Sequence, residues 1–127
     1  MEIGNEAGIA AVAVADPDAR GAAMKVLVSP DQGWDGYVMR MVEIEPGGYS
    51  PRHSHPWPHI NYVVAGTGVL HTAGKDTAVS PGAYAYVPAG ILHQFTNSGP
   101  DAFRFICIVP QEGHPPPYRR QKTADES

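Results

Sequence analysis

The stretch Gly47-Gly48-Tyr49-Ser50-Pro51-Arg52-His53-Ser54-His55-Pro56-Trp57-Pro58-His59 decides how this chain is read. Three of its six histidines fall there, at positions 53, 55 and 59. His53 and His55 stand at i and i+2, so an extended strand points both imidazoles to one face. Pro56 and Pro58 each remove a backbone donor and fix φ, which excludes a helix and forces a bend before the next strand. Such a bend can aim His59 back at the face that carries His53 and His55. A fourth histidine closes Pro88-Ala89-Gly90-Ile91-Leu92-His93. Four convergent neutral imidazoles are the usual ligands of a borderline transition metal.

Working outward, the chain has 127 residues, about the size of one domain. Thirteen prolines and fourteen glycines are scattered along it and leave almost no window for a helix. Short strands joined by tight turns are expected instead, at 24–28, 37–45, through His53 and His55, and at 60–65, 69–72, 77–79, 83–87, 92–96 and 102–109. Pro46-Gly47-Gly48 is expected to turn the chain after the 37–45 strand. Strands of this length and spacing mean an all-β sandwich or barrel. Residues 1–23 read as an alanine-rich N-terminal arm that pairs as an edge strand or lies over a neighbour, 24–110 as the barrel domain, and 111–127 as an extended or disordered tail.

Composition excludes several classes. Thirteen acidic against nine basic residues give a net charge of −4, and no basic block precedes Arg119-Arg120. Nucleic acid and anionic membrane surfaces are therefore not expected partners. The apolar run 9–15 has no positive residue before it and is too short to span a bilayer. Cys107 is the single cysteine, so no intrachain disulfide forms, which fits a reducing, cytoplasmic setting. No serine sits in a nucleophile-elbow turn, and Ser54 should point away from the flanking histidines.

With histidines and turns placed, the sequence resembles the cupin superfamily. Gly47, His53, His55 and Gly66 fit the first cupin motif, with His59 standing where the family usually has Glu. Gly82, Pro88, Gly90, His93 and Asn97 fill every fixed position of the second motif. The resemblance implies a single-domain jelly-roll β-barrel with a metal inside, held by His53, His55, His59 and His93. It is similar in particular to small cupins with an all-histidine site, which are manganese proteins with oxygenase-type activity. Mn(II) is thus the implied metal, with Fe(II), Zn(II), Ni(II) or Cu(II) also compatible with imidazole ligands. The His-for-Glu exchange leaves the ion's charge without offset from its ligands, which favours anionic ligands and makes a trivalent metal harder to reach.

Around the metal, Cys107, Arg40 and Asn61 are the candidate catalytic residues. Cys107 reads either as a buried small hydrophobe or as a pocket-lining thiol, and the resemblance places it near the metal. Arg40 interrupts the face formed by Val38, Val42 and Ile44; it is a surface residue or it meets a substrate carboxylate. Asn61 shares strand parity with His59. Trp57, Phe95 and Phe105 are expected to wall the substrate pocket, with core packing as the other use of such rings. His71 and His114 read as surface residues, and Glu43 and Glu45 as a solvated face. The leading functional expectation is a dioxygenase taking dioxygen and a small organic substrate. A non-redox isomerase or lyase and a non-catalytic ligand-binding barrel are the alternatives. A homodimer is expected, because a small barrel gains by covering its edge strands.

Overall fold

The computed structural model describes residues 1–118 and 120–122. Eleven strands follow one another: β1 (Ile9–Ala10), β2 (Val12–Ala13), β3 (Arg20–Val28), β4 (Tyr37–Tyr49), β5 (His59–Ala65), β6 (Gly68–Thr72), β7 (Lys75–Val79), β8 (Tyr84–Val87), β9 (His93–Asn97), β10 (Phe103–Pro110) and β11 (Gln121–Lys122). Nine of them form one curled sheet in the order β7-β6-β9-β4-β10-β5-β8, with β3 added to β4 and β2 to β3. Every pairing is antiparallel. This is an all-β jelly-roll barrel, the fold that the sequence resemblance implies.

Alternation explains where the core sits. Along β10, Phe103, Phe105, Cys107 and Val109 are buried while Arg104, Ile106 and Ile108 are half-buried on the outer face. Val38, Val42 and Ile44 of β4 face inward beside them. Phe95 stacks on Phe105 at 4.3 Å between ring centroids, and Phe103 lies 5.2 Å from Phe105. The motif asparagine, Asn97, is 7% exposed; its Nδ2 donates to the carbonyls of Ile44 and Asp101, joining β9 to β4.

Three expectations change. The chain does not turn at Pro46-Gly47-Gly48; β4 bends there and continues to Tyr49, leaving β10 and reaching β9 at Thr96. Gly48 permits the bend, because a Cβ there would lie 2.5 Å from the Arg20 carbonyl. No strand runs through His53 and His55, where prolines on both sides limit pairing to one bridge, His53 with His93. Glu43 is half-buried and ion-paired rather than part of a freely solvated face. With Glu6, Lys25 and Arg104 it forms an ion network over the outer face, Lys25 Nζ standing 3.1 Å from Glu6 and 3.5 Å from Glu43.

Both ends of the chain are more engaged than their composition suggests. β3 begins at Arg20 and β2 pairs with it, so the N-terminal segment extends the sheet at its edge. Residues 111–118 pack back with Tyr118 6% exposed, and β11 pairs with β1. The part of the expected disordered tail from 123 to 127 lies outside the described residues. On the outside, Ile60, Tyr62, Tyr84 and Tyr86 form an exposed apolar strip across β5 and the edge strand β8.

Gly66, which closes the first motif, has φ 75° and packs against the Ala102 carbonyl so closely that a Cβ would overlap it. Gly66→Ala should therefore combine left-handed strain with overpacking and cost about 3 kcal/mol. Urea unfolding measures this as a lower midpoint at unchanged slope.

Candidate metal centre

Two backbone ties bring the histidine segments together. His53 and His93 exchange N–H···O bonds of 3.1 and 3.0 Å, and the Gly90 N–H donates to the His55 carbonyl at 2.9 Å. Gly90 holds φ 81°, a conformation that disfavours other residues and completes the turn into β9. His59 opens β5 and His93 opens β9, both pointing inward at 5% and 4% exposure. His53, His55 and His93 each offer a ligand atom, and the three atoms lie within 4.8 Å of one another. His59 joins through His93, with ring centroids 4.6 Å apart and their Nε2 atoms 3.0 Å apart.

Hydrogen bonds fix which nitrogens carry protons. His93 Nδ1–H donates to the Ile91 carbonyl at 2.8 Å, and His55 Nδ1–H to the Trp57 carbonyl at 2.7 Å. His59 Nδ1–H donates to Asn61 Oδ1 at 2.6 Å. In the neutral rings each Nε2 is then left with a lone pair. Burial holds all four imidazoles below their ordinary pKa and pushes His93 down to about 4; the neighbouring histidines add to this for His53, His55 and His93. Asn61 raises the His59 value against burial, as an acceptor on the imidazolium should.

The histidines open into a cavity of about 250 Å³ lined also by Trp57, Phe95 and Phe105. Trp57 stacks on the His55 ring at 4.8 Å and 9° between planes, so it braces a ligand as well as walling the pocket. Cys107 is 4% exposed, with Sγ 3.0 Å from Arg40 Nη2, and Asn61 is 2% exposed. All three candidate catalytic residues line this cavity. The N-terminal segment supplies Val14 and Asp16 to it, and Gly113 comes from the C-terminal turn, where it packs on the Trp57 indole. Sequence reasoning missed these. A lone Asp-Pro-Asp in an alanine-rich segment was the available signal for Asp16. His114 is not a surface residue: it is half-buried, 3.5 Å from Arg40 Nη1. His71 lies outside the site, bridging Asp76 and Thr96 across β6, β7 and β9.

The cupin domain family model matches residues 40–109, the span that holds both histidine segments and the strands that frame them. The chain belongs to the cupin family. The polyketide cyclase RemF from Streptomyces resistomycificus has a similar structure, with 27% identity, a TM-score of 0.81, and 94% of this chain and 81% of that one covered. An oxalate-binding protein from Thermotoga maritima is 28% identical over 69 residues, 54% of this cupin and 57% of the relative. A 1-methylthio-D-xylulose 5-phosphate methylsulfurylase from Rhodospirillum rubrum is 30% identical over 78 residues, 61% of this cupin and 50% of the relative. This cupin thus spans about half the length of those two curated relatives. Among its described residues no helix is long and apolar enough to cross a membrane.

An ordinary imidazole pKa would make metal binding collapse below about pH 6. Burial moves that limit down, because ligands that resist protonation compete longer for the ion. In the metal-free protein the unfolded chain takes up protons near pH 6.5, and buried His93 only near 4. Stability contributed by neutral His93 is therefore present above pH 6.5 and lost as pH falls toward 4. Metal analysis across this range should show retention at pH 5.5, and the His93→Ala protein should lose stoichiometric metal at pH 7.

Proposed function

We propose that this cupin is a metal-dependent enzyme acting on a small, carbonyl-bearing organic substrate, with His59 as fourth ligand beside His53, His55 and His93. One observation carries the reading: the Nε2 atoms of His59 and His93 face each other at 3.0 Å, each with its proton already committed at Nδ1. Two lone pairs at that distance repel unless a cation lies between them. Two nitrogens bound to one ion at ~2.1 Å and ~90° apart would stand ~3.0 Å from each other. The residues present therefore fit a divalent transition metal, and Mn(II) is our assignment among those that accept four imidazoles. Such an ion supplies Lewis-acid polarisation of a carbonyl or enolate oxygen.

The chain's own residues define the rest. Asn61 and the carbonyls of Ile91 and Trp57 hold three imidazoles in orientation. Phe95, Phe105 and Val42 make an apolar wall that keeps water from the substrate. Four neutral ligands and the nearby Arg40 charge disfavour a trivalent ion, which supports non-redox chemistry over a redox cycle. Similarity to a polyketide cyclase supports the same choice. The dioxygenase reading is the second: its support is the apolar wall of Val42, Phe95 and Phe105 beside the histidines, which suits a reaction that must exclude water. Dioxygen would then be the second substrate.

Loading the full chain with Mn(II) and following ethyl benzoylacetate and phenylpyruvate in deuterated buffer separates these readings. Non-redox chemistry predicts metal-dependent exchange of the carbon-bound proton beside the carbonyl, with no oxygen consumed. Stoichiometric oxygen uptake would replace it with the dioxygenase reading.

The same proposal includes a second copy of the chain on the Ile60–Tyr62–Tyr84–Tyr86 strip. Tyr84 and Tyr86 are 83% and 64% exposed on an edge strand, where unpaired backbone and apolar rings favour association. Sedimentation should give a dimer at micromolar concentration, and Tyr84→Glu with Ile60→Glu should give a folded monomer.

A further inference from the structure

Arg40 brings a full positive charge onto the inward face of β4 and meets no carboxylate among the described residues. Its Nη2 donates to Cys107 Sγ at 3.0 Å, and its Nη1 lies 3.9 Å from Met24 Sδ and 3.5 Å from His114 Nδ1. These partners are sulfur atoms and a histidine that burial and Arg40 itself hold toward the neutral form. Arg40 Nε is buried with no partner at all. Asp16 lines the same cavity but acts on His53 and makes no ion pair with Arg40. A cation left in this state is costly unless an anion completes it.

Asn61 supplies a second, independent vacancy for a hydrogen bond. It is 2% exposed, its Oδ1 is taken by His59, and its Nδ2 has no partner. The sheet register sets the two free donors in one row. Cys107 on β10 pairs with Arg40 on β4 at one side and with Asn61 on β5 at the other. Three adjacent strands thus present a guanidinium, a thiol and an amide to the space that His59 and His93 also face. At about 4.8 Å between strands the Arg40 and Asn61 backbones stand about 10 Å apart, a gap their side chains narrow from both ends.

We infer that this row is an anion-recognition wall and that the substrate is an organic monocarboxylate. The inference rests on reading the cavity as the active site. One unit of charge and two free N–H donors match a carboxylate; a phosphate dianion would need more of both. Val42, Phe95 and Phe105 beside the row accept the hydrocarbon part of the acid. The carboxylate thereby fixes the substrate at the wall and presents its carbonyl end toward the histidines.

Calorimetric titration of the full chain, metal-free and metal-loaded, with phenylpyruvate and with its methyl ester tests this. The acid should bind about 10-fold or more tightly than the ester in both forms, since a hydrogen bond to a charged group contributes about 1.5–3 kcal/mol. Arg40→Met should abolish the preference, and Arg40→Lys should keep part of it. Asn61→Asp retains the acceptor for His59 but replaces the free donor with a like charge, so it should lower acid affinity by about 10-fold or more. Equal binding of acid and ester by the parent protein would overturn the inference. So would an unchanged preference in both Arg40→Lys and Asn61→Asp. A preference for the acid without metal-dependent proton exchange would instead uphold the wall and reject the catalytic reading.

Discussion

Two imidazole nitrogens that carry no proton face each other across 3.0 Å at the centre of this barrel. That opposition is the constraint on which the site depends. Left alone it is repulsive, and protonation is a poor remedy because burial opposes charge on both rings. A divalent cation satisfies both lone pairs at once and restores the charge that burial would otherwise forbid. The cost of holding the buried His59 and His93 face to face, with His53 and His55 at the cavity mouth, is offset only when that cation is present.

The fold imposes the opposition by fixing the far side of each ring. His93 and His55 donate to backbone carbonyls, and His59 donates to Asn61, so none can turn away without losing a hydrogen bond. Backbone pairing of His53 with His93, and of Gly90 with His55, then holds two segments separated by some thirty residues of sequence in one place. Motif residues that never touch a ligand contribute through the backbone. Gly90 supplies a turn with positive φ, and Asn97 ties β9 to β4. The row Arg40–Cys107–Asn61 follows from the same register, since β10 lies between β4 and β5.

Much of this was legible before any coordinates. The i, i+2 and i+6 histidines, the flanking prolines and the two motifs specified the barrel and the cluster, and strand limits at β5 to β10 differ by a residue or two from those expected. Three features were not legible, each because a long-range contact overrode a local signal. Pro46-Gly47-Gly48 reads as a turn, yet pairing of Tyr49 with Thr96 keeps β4 extended through it. Val14 and Asp16 carry no periodicity; their place at the cavity depends on β2 pairing with β3. His114 follows a polar turn in sequence, but Arg40 and Tyr118 draw it inward. Arg40 shows the limit from the other side. Its odd position among apolar residues was visible, whereas the absence of a carboxylate partner among the described residues needed the neighbouring strands.

The most direct test of the account is a crystal structure of the metal-loaded protein with the ion located by its anomalous scattering. The account predicts one ion bound by both facing nitrogens, His59 Nε2 and His93 Nε2, each at roughly 2.0–2.3 Å, with Asn61 Oδ1 still accepting from His59. An ion held by His53, His55 and His93 alone would contradict it. The same is true of a direct hydrogen bond from His59 to His93 with the Asn61 amide turned over, because the two nitrogens would then need no cation between them.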